Sequence, residues 1–238
     1  MKLIVLVRHA VNEYVAIKKL AGWTPGVHLN DEGRRQAELL AQRLATSRQP
    51  FHALYTSPLE RTRETAAPIA AALSLEACLL EGVGEVRFGE WEGRGLEELG
   101  KEELWRMVQT YPSGMTFPGG ETFRAMQARA VNAVESVAAA LEPKQAAIVV
   151  SHADVIKAIV AHYAGIHLDH FQRLVISPAS ISVLGLTPHR PMILRLNDTA
   201  HLPEPAPVTD EGAPAEEGAE SPAASDQAGS KNGQPQEE

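Results

Sequence analysis

The run Leu3-Ile4-Val5-Leu6-Val7 contains no polar residue and stops on Arg8-His9. A short, uninterrupted apolar run rich in β-branched residues is the pattern of a strand buried on both faces. A strand of that kind needs helices above and below its sheet, which constrains the chain to α/β layering. In open α/β sheets, ligands gather at the carboxyl ends of the strands, where this cation and imidazole stand. Arginine fits phosphate as a bidentate fork, and histidine can act as nucleophile or acid–base group. By itself the dipeptide is common, and it gains meaning only from later segments.

Ala37, Leu40, Ala41 and Leu44 follow helical spacing and predict a helix that begins near Asn30-Asp31. A short strand over His52–Thr56 leads into Ser57-Pro58-Leu59-Glu60. That tetrapeptide reads as a capping box with Ser57 as N-cap, Pro58 at N1 and Glu60 at N3, which assigns Ser57 no catalytic role. Arg61 then lies in the first turn of a helix reaching about Leu73. Five glycines mark 82–95 as a loop, with helices expected over 96–109 and 122–141. A second apolar run, Ala146–Ser151, is closed by His152 and followed by a helix over Ala153–Ala164. Ile181–Leu186 and Met192–Leu196 read as a hairpin or sheet edge. Strands alternating with helices imply a three-layer α/β/α sandwich with a mostly parallel central sheet.

Charge divides the chain. Residues 203–238 hold nine acids and one base, a net −8 that equals the charge of the whole 238-residue chain. Residues 1–202 therefore balance, and they hold all nine histidines. The acidic Pro/Ala/Glu-rich segment, with Val208 as its only branched aliphatic, is expected to be a disordered tail. A neutral folded part argues against non-specific nucleic-acid binding. Cys78 is the single cysteine, compatible with a reducing cytosol. Arg8 ends the first apolar run too early for a signal peptide, and no run approaches a membrane span. A cytoplasmic protein is expected, with no membrane partner.

Three strand-to-helix junctions carry related chemistry: Arg8-His9, Ser57 to Arg61, and Ser151-His152. Junctions at the carboxyl ends of parallel strands converge on one face, and helices starting there aim free N–H groups at it. Two arginines, two histidines and helix N-termini suit a tetrahedral dianion. The chain has no P-loop, no dinucleotide glycine fingerprint after a strand, and no His-Glu-x-x-His.

Six segments, in order, resemble the histidine phosphatase superfamily, branch 1, with its phosphoglycerate-mutase-like fold. They are Val7-Arg8-His9-Ala10, Leu29 through Ala37, Ser57 through Thr62, Phe88-Gly89-Glu90-Trp91-Glu92-Gly93, Pro118-Gly119-Gly120-Glu121 and Val150-Ser151-His152. The stretches 23–28 and 151–157 are most similar to a bacterial subgroup labelled phosphomutase. The resemblance spans about residues 2–197 and implies that residues 1–202 form a catalytic domain. It implies His9 as a nucleophile forming phosphohistidine, with Arg8, Arg61 and a cationic His152 around the phosphoryl oxygens. Glu85 is the implied general acid by family position alone; Glu81, Glu90, Glu92 and Asp154 stay open from the residues themselves. Substrate contacts are implied for Arg8, Asn12, Gly22, Arg61, His152 and Ala153.

Ala10 stands where most members have glycine, and Val15 and Ala21 replace two polar positions, for one of which Asn12 is a substitute. The expected partner is a small phosphorylated substrate, with a homodimer left open. No metal or cofactor is expected, because the cationic side chains supply the charge. Phosphomonoester hydrolysis is the leading expectation. A phosphomutase using the same intermediate comes second, and a weakly catalytic phosphate sensor third.

Overall fold

In the computed structural model the described residues are 1–203; the expected acidic tail from 204 onward lies outside them. The elements run β1 (Lys2–Arg8), α1 (Glu13–Ala16), α2 (Asp31–Ala45), β2 (Ala53–Thr56), α3 (Glu60–Leu73), β3 (Ala77–Leu79), α4 (Leu96–Leu99), α5 (Glu103–Thr110), α6 (Phe123–Ala140), β4 (Ala146–Ser151), α7 (Ala153–Ala164), β5 (Ile181–Leu186) and β6 (Pro191–Asp198). The sheet order is β3-β2-β4-β1-β5-β6. The first four strands of that order pair in parallel, while β5 and β6 add an antiparallel edge.

Period-two alternation divides β1 and β4 between two cores. Ile4, Leu6, Ala147 and Val149 join the cluster that includes α6 and α7, whereas Val5, Val7, Ile148 and Val150 join the one that includes α2 and α3. The sandwich has three layers, as the apolar runs imply. Among the described residues, no helix is long and apolar enough to cross a membrane.

Topology brings the three junctions together. β4 returns between β1 and β2, with Arg8 opposite Ser151 and Thr56 opposite Val150. The ladder continues one step past the strands, through His9 N–H to the Ser151 carbonyl (2.9 Å) and Ser57 N–H to the Val150 carbonyl (3.0 Å). Adjacent strand ends therefore deliver residues about 95 to 145 positions apart in the chain.

Several expectations change locally. The helix expected over 96–109 is broken at Gly100 into α4 and α5, consistent with glycine's weak helix propensity. β3 has only three residues and was not visible in the sequence pattern. The capping box does not form: α3 begins at Glu60, its N-cap is Leu59, and the Glu60 carboxylate accepts instead from the Gly26 N–H at 3.1 Å.

Asn30 does cap α2, its side chain accepting from Gly33 N–H at 2.8 Å. That helix start clamps the loop after His9. Gln36 accepts from Val11 N–H (3.1 Å), and the Val11 carbonyl passes so close to Gly33 that a Cβ there would lie 1.9 Å from it. Glycine to alanine inside an exposed helix ordinarily stabilises by roughly 1 kcal/mol. Here the sign should reverse: Gly33→Ala should lower Tm by at least about 2–4 °C, the size of roughly 1 kcal/mol for a chain of this length. Thermal unfolding by circular dichroism reads it, and a raised Tm would show that the loop yields freely.

Candidate active site

His9 sits at the end of β1, 3 % exposed. Its Nδ1 lies 2.8 Å from the Ala10 carbonyl, which can only accept, so Nδ1 carries the proton and Nε2 keeps its lone pair. Ala10 has ordinary negative-φ backbone and is fully buried, its N–H donating to Thr65 Oγ1 at 3.0 Å. The methyl group that replaces glycine's hydrogen therefore requires no special conformation. Burial, then the charges of Arg61 and Arg8, hold the His9 pKa well below the usual imidazole value.

Arg61 is fully buried at the start of α3. One terminal nitrogen, Nη2, donates to the Gly22 carbonyl (2.9 Å) and approaches His152 Nδ1 at 3.3 Å. Its Nε and Nη1 have no hydrogen-bond partner among the described residues. Arg8 donates from Nη1 to the Ile176 carbonyl (2.7 Å), and its Nε is likewise buried without a partner. Unsatisfied guanidinium donors in a low-dielectric wall suit an anion.

His152 is the N-cap residue of α7, with its ring centroid 5.2 Å from that of His9. With Nδ1 accepting from Arg61, Nε2 carries the proton and donates to Ser57 Oγ at 2.9 Å. The sequence reading explained Ser57 as a helix cap, and this contact corrects it. The expected cationic form of His152 is also corrected. Burial, followed by Arg61, His9 and Arg8, depresses its pKa well below the usual value, so the ring is neutral.

Glu85 lies on the loop after the short turn at 81–83, with Oε1 accepting from Val86 N–H (2.9 Å) and Oε2 3.6 Å from His152 Nδ1. Burial first, and then the Asp154 charge, push its carboxyl up to about 7. Among the alternative acids, Glu81 is exposed and pairs with Arg87, Glu90 is exposed, and the Glu92 side chain packs against Gly22. Asp154 alone shares the cavity with Glu85.

That cavity, of about 220 Å³, is lined by Arg8, His9, Asn12, Arg61, Glu85 and Ala153 among others, and its outer side carries the exposed Lys18 and Lys19. Asn12 caps α1 through its oxygen (2.9 Å to Val15 N–H), while its buried Nδ2 has no partner among the described residues. Ala153 opens α7, whose first N–H groups are uncapped by a side chain. Val15 and Ala21 line the wall where polar groups would otherwise stand. Gly22 and His152 lie behind that lining, Gly22 with its carbonyl held by Arg61.

Two signatures without reacting groups hold Glu85 in place. The 88–93 and 118–121 segments bind each other through Glu90 N–H to Pro118 (2.9 Å) and Glu121 N–H to Arg87 (2.9 Å). Gly89 has φ +59°, and a Cβ there would lie 2.2 Å from the Pro118 carbonyl. Glu121 orients Arg129 (2.5 Å), whose other donors reach the carbonyls of Gly82, Gly84 and Glu85 at 2.8–2.9 Å. Trp23 Nε1 also donates to the Glu85 carbonyl at 2.7 Å. Sequence reading missed Arg129, because its partners lie far away in the chain.

The profile of the histidine phosphatase superfamily (branch 1) matches residues 4–199. The chain belongs to that superfamily. It is 34 % identical over 204 residues to phosphoserine phosphatase 1 of Hydrogenobacter thermophilus, covering 84 % of this chain and 94 % of that protein. It is 29 % identical over 210 residues to a probable phosphoglycerate mutase GpmB of Photorhabdus laumondii, covering 84 % and 95 %. A solved phosphoserine phosphatase of Entamoeba histolytica, in complex with 3-phosphoglyceric acid, superposes with a TM-score of 0.76 at 26 % identity over 84 % of this chain and 99 % of that one. Membership makes this chain a phosphatase or phosphomutase with a phosphoglycerate-mutase-like fold.

The raised Glu85 pKa has a consequence for stability. Between the ordinary carboxyl value and about 7, the native state holds a proton that the unfolded chain has released, so wild-type stability falls across that window. Glu85→Gln removes this loss. Its Tm relative to wild type should therefore be several degrees more favourable at pH 8 than at pH 4.5; a pH-independent difference would mean that the carboxyl titrates normally.

Proposed function

We propose that residues 1–202 form a metal-independent phosphomonoesterase that hydrolyses a small phosphorylated metabolite in the cytoplasm through a phosphohistidine at His9. The observation that carries this reading is the His9 ring, neutral and with Nε2 free, beside the unpartnered donors of Arg61 and Arg8. Arg8, Arg61, Asn12 Nδ2 and the Ala153 N–H would hold the phosphoryl oxygens. His9 Nε2 then attacks phosphorus in line as the ester P–O bond breaks, and the leaving oxygen takes the proton of Glu85. In the second step a water attacks the phosphorus, the P–N bond breaks to return neutral His9, and Glu85 takes the water's proton. Phosphate leaves and the carboxyl ends as it began. Equatorial charge in both steps falls against the two guanidinium groups and His152, which Ser57 and Arg61 hold in place. That cationic set supplies the charge a metal would otherwise bring.

Hydrolysis is favoured over mutase chemistry by the cavity, which reaches solvent beside Lys18 and Lys19. A mutase must keep water from its phosphoenzyme. The lone Cys78 suits a reducing compartment.

Brief reaction with ³²P-labelled ester should give an acid-labile, alkali-stable phosphoenzyme that His9→Ala abolishes, and turnover should persist in chelator. Label retained in that variant would reject His9 as nucleophile. Release of inorganic phosphate without an isomerised product separates hydrolase from mutase. Binding of phosphate analogues without turnover of any ester would return the sensor reading.

The pH profile is fixed in sign. Glu85 must be protonated to release the alcohol, and its pKa is about 7, so kcat/KM should fall as pH rises above about 7. Glu85→Gln should lower kcat/KM by roughly 10²–10⁴ and remove that limb. An unchanged alkaline limb in the variant would move the acid role elsewhere.

A further inference from the structure

Behind the phosphate cavity lies a second one of about 220 Å³. The two share Leu20, Phe88, Leu96 and Asp154, so they are adjoining chambers of one cleft. The first is ringed by cations and by His9. The second is walled by Trp91, Trp105, Val108, Phe117 and Phe123, with Gln109, Gln172 and Asp154 as its polar contacts. Its aromatic rings brace one another: Trp91 stands 6.0 Å from Trp105 and 5.4 Å, edge to face, from Phe117, which in turn meets Phe123 at 5.1 Å. The partly buried Trp105 and Leu96 come from α5 and α4, so the broken helical segment forms part of the chamber's wall.

From this arrangement we infer that the phosphorylated alcohol carries an uncharged ring, seated in the aromatic chamber while its phosphoryl group faces His9. The inference rests on the phosphatase reading and names the substrate class for the same site. Three physical points favour a ring over a small polar leaving group. A void lined by apolar atoms loses dispersion contacts until something apolar fills it. An apolar cavity of about 150 Å³ already accepts benzene, so about 220 Å³ takes a ring with its linker. Offset and edge-on contacts with four braced aromatic side chains select planar groups. The positive rim at Lys18 and Lys19 lies in the phosphate chamber; among the described residues no cation lines the second chamber, and Lys157 beside it is engaged by Asp154 and Gln172.

The test uses two phosphonates whose C–P bond cannot be hydrolysed by this chemistry, phenylphosphonate and methylphosphonate, titrated calorimetrically into wild-type protein. Phenylphosphonate should bind at least about tenfold more tightly, as burial of a ring predicts, and should quench tryptophan fluorescence where methylphosphonate does not. Val108→Phe, which fills the chamber from α5, should reduce the affinity ratio towards one. In parallel, kcat/KM for phenyl phosphate should exceed that for phosphoserine and 3-phosphoglycerate by a similar factor. Equal phosphonate affinities, or a ratio that Val108→Phe leaves intact, overturn the ring subsite while methylphosphonate binding keeps the phosphatase reading standing. Absence of binding by either phosphonate together with no turnover of any ester overturns the phosphatase reading itself.

Discussion

Arg61 is a full cation with no exposure to solvent, and its partners among the described residues engage only one of its three nitrogens. A charge in that position is tolerable only because the surrounding fold is built around it. Arg61 lies on the first turn of α3, where its own carbonyl accepts from the Thr65 hydroxyl that also receives the Ala10 N–H. The residue that makes the site positive is thus tied by backbone to the loop carrying the nucleophile. Burial holds both histidines neutral, and the repulsion of Arg61 adds to it. Glu85 feels its attraction, but burial and Asp154 outweigh that pull and raise the carboxyl pKa to about 7.

The supporting structure follows from keeping Glu85 in such a place. A buried carboxyl on a loop needs its backbone held, and Arg129 holds it by collecting the carbonyls of 82, 84 and 85 while Glu121 neutralises the guanidinium. Glu121 is itself held by the close approach of the 88–93 and 118–121 turns, where side chains would collide. On the other side of the site, Asn30, Gly33 and Gln36 do the corresponding work for the loop after His9. Segments that touch no reacting atom thereby position the atoms that do.

How much of this could be read from the chain depended on the range of the interaction. β1, β4, α2 and α7 were legible because apolar periodicity and an Asn cap act over a few residues. The convergence of three junctions followed from strand topology, a rule about parallel sheets rather than about side chains. Ser57 was misread for the opposite reason. Its neighbours Pro58 and Glu60 imitate a capping box, and the local pattern hid a contact with His152, 95 residues away. The break at Gly100 and the three-residue β3 carried too little periodic signal to register. Arg129 was invisible because nothing near it in sequence hints at its carbonyl partners. The protonation state of His152 could not be read without knowing how many cations surround it, and that number exists only after folding.

The two guanidinium groups also determine what kind of ligand the cavity favours. Burial first, and then the charges of Arg61, His9 and Arg8, lower the His152 pKa well below the usual imidazole value. A phosphoryl dianion placed against Arg61 and Arg8 cancels their field at its source. The same dianion raises the proton affinity of every group around it. His152 already uses both ring nitrogens, Nδ1 accepting from Arg61 and Nε2 donating to Ser57, and only the neutral ring satisfies both contacts. Glu85, with its pKa raised to about 7, would be held more firmly in its protonated form until the leaving oxygen draws its proton away. A dianionic substrate would offset the two guanidinium charges, while Arg61 and Ser57 hold the neutral His152 ring between them.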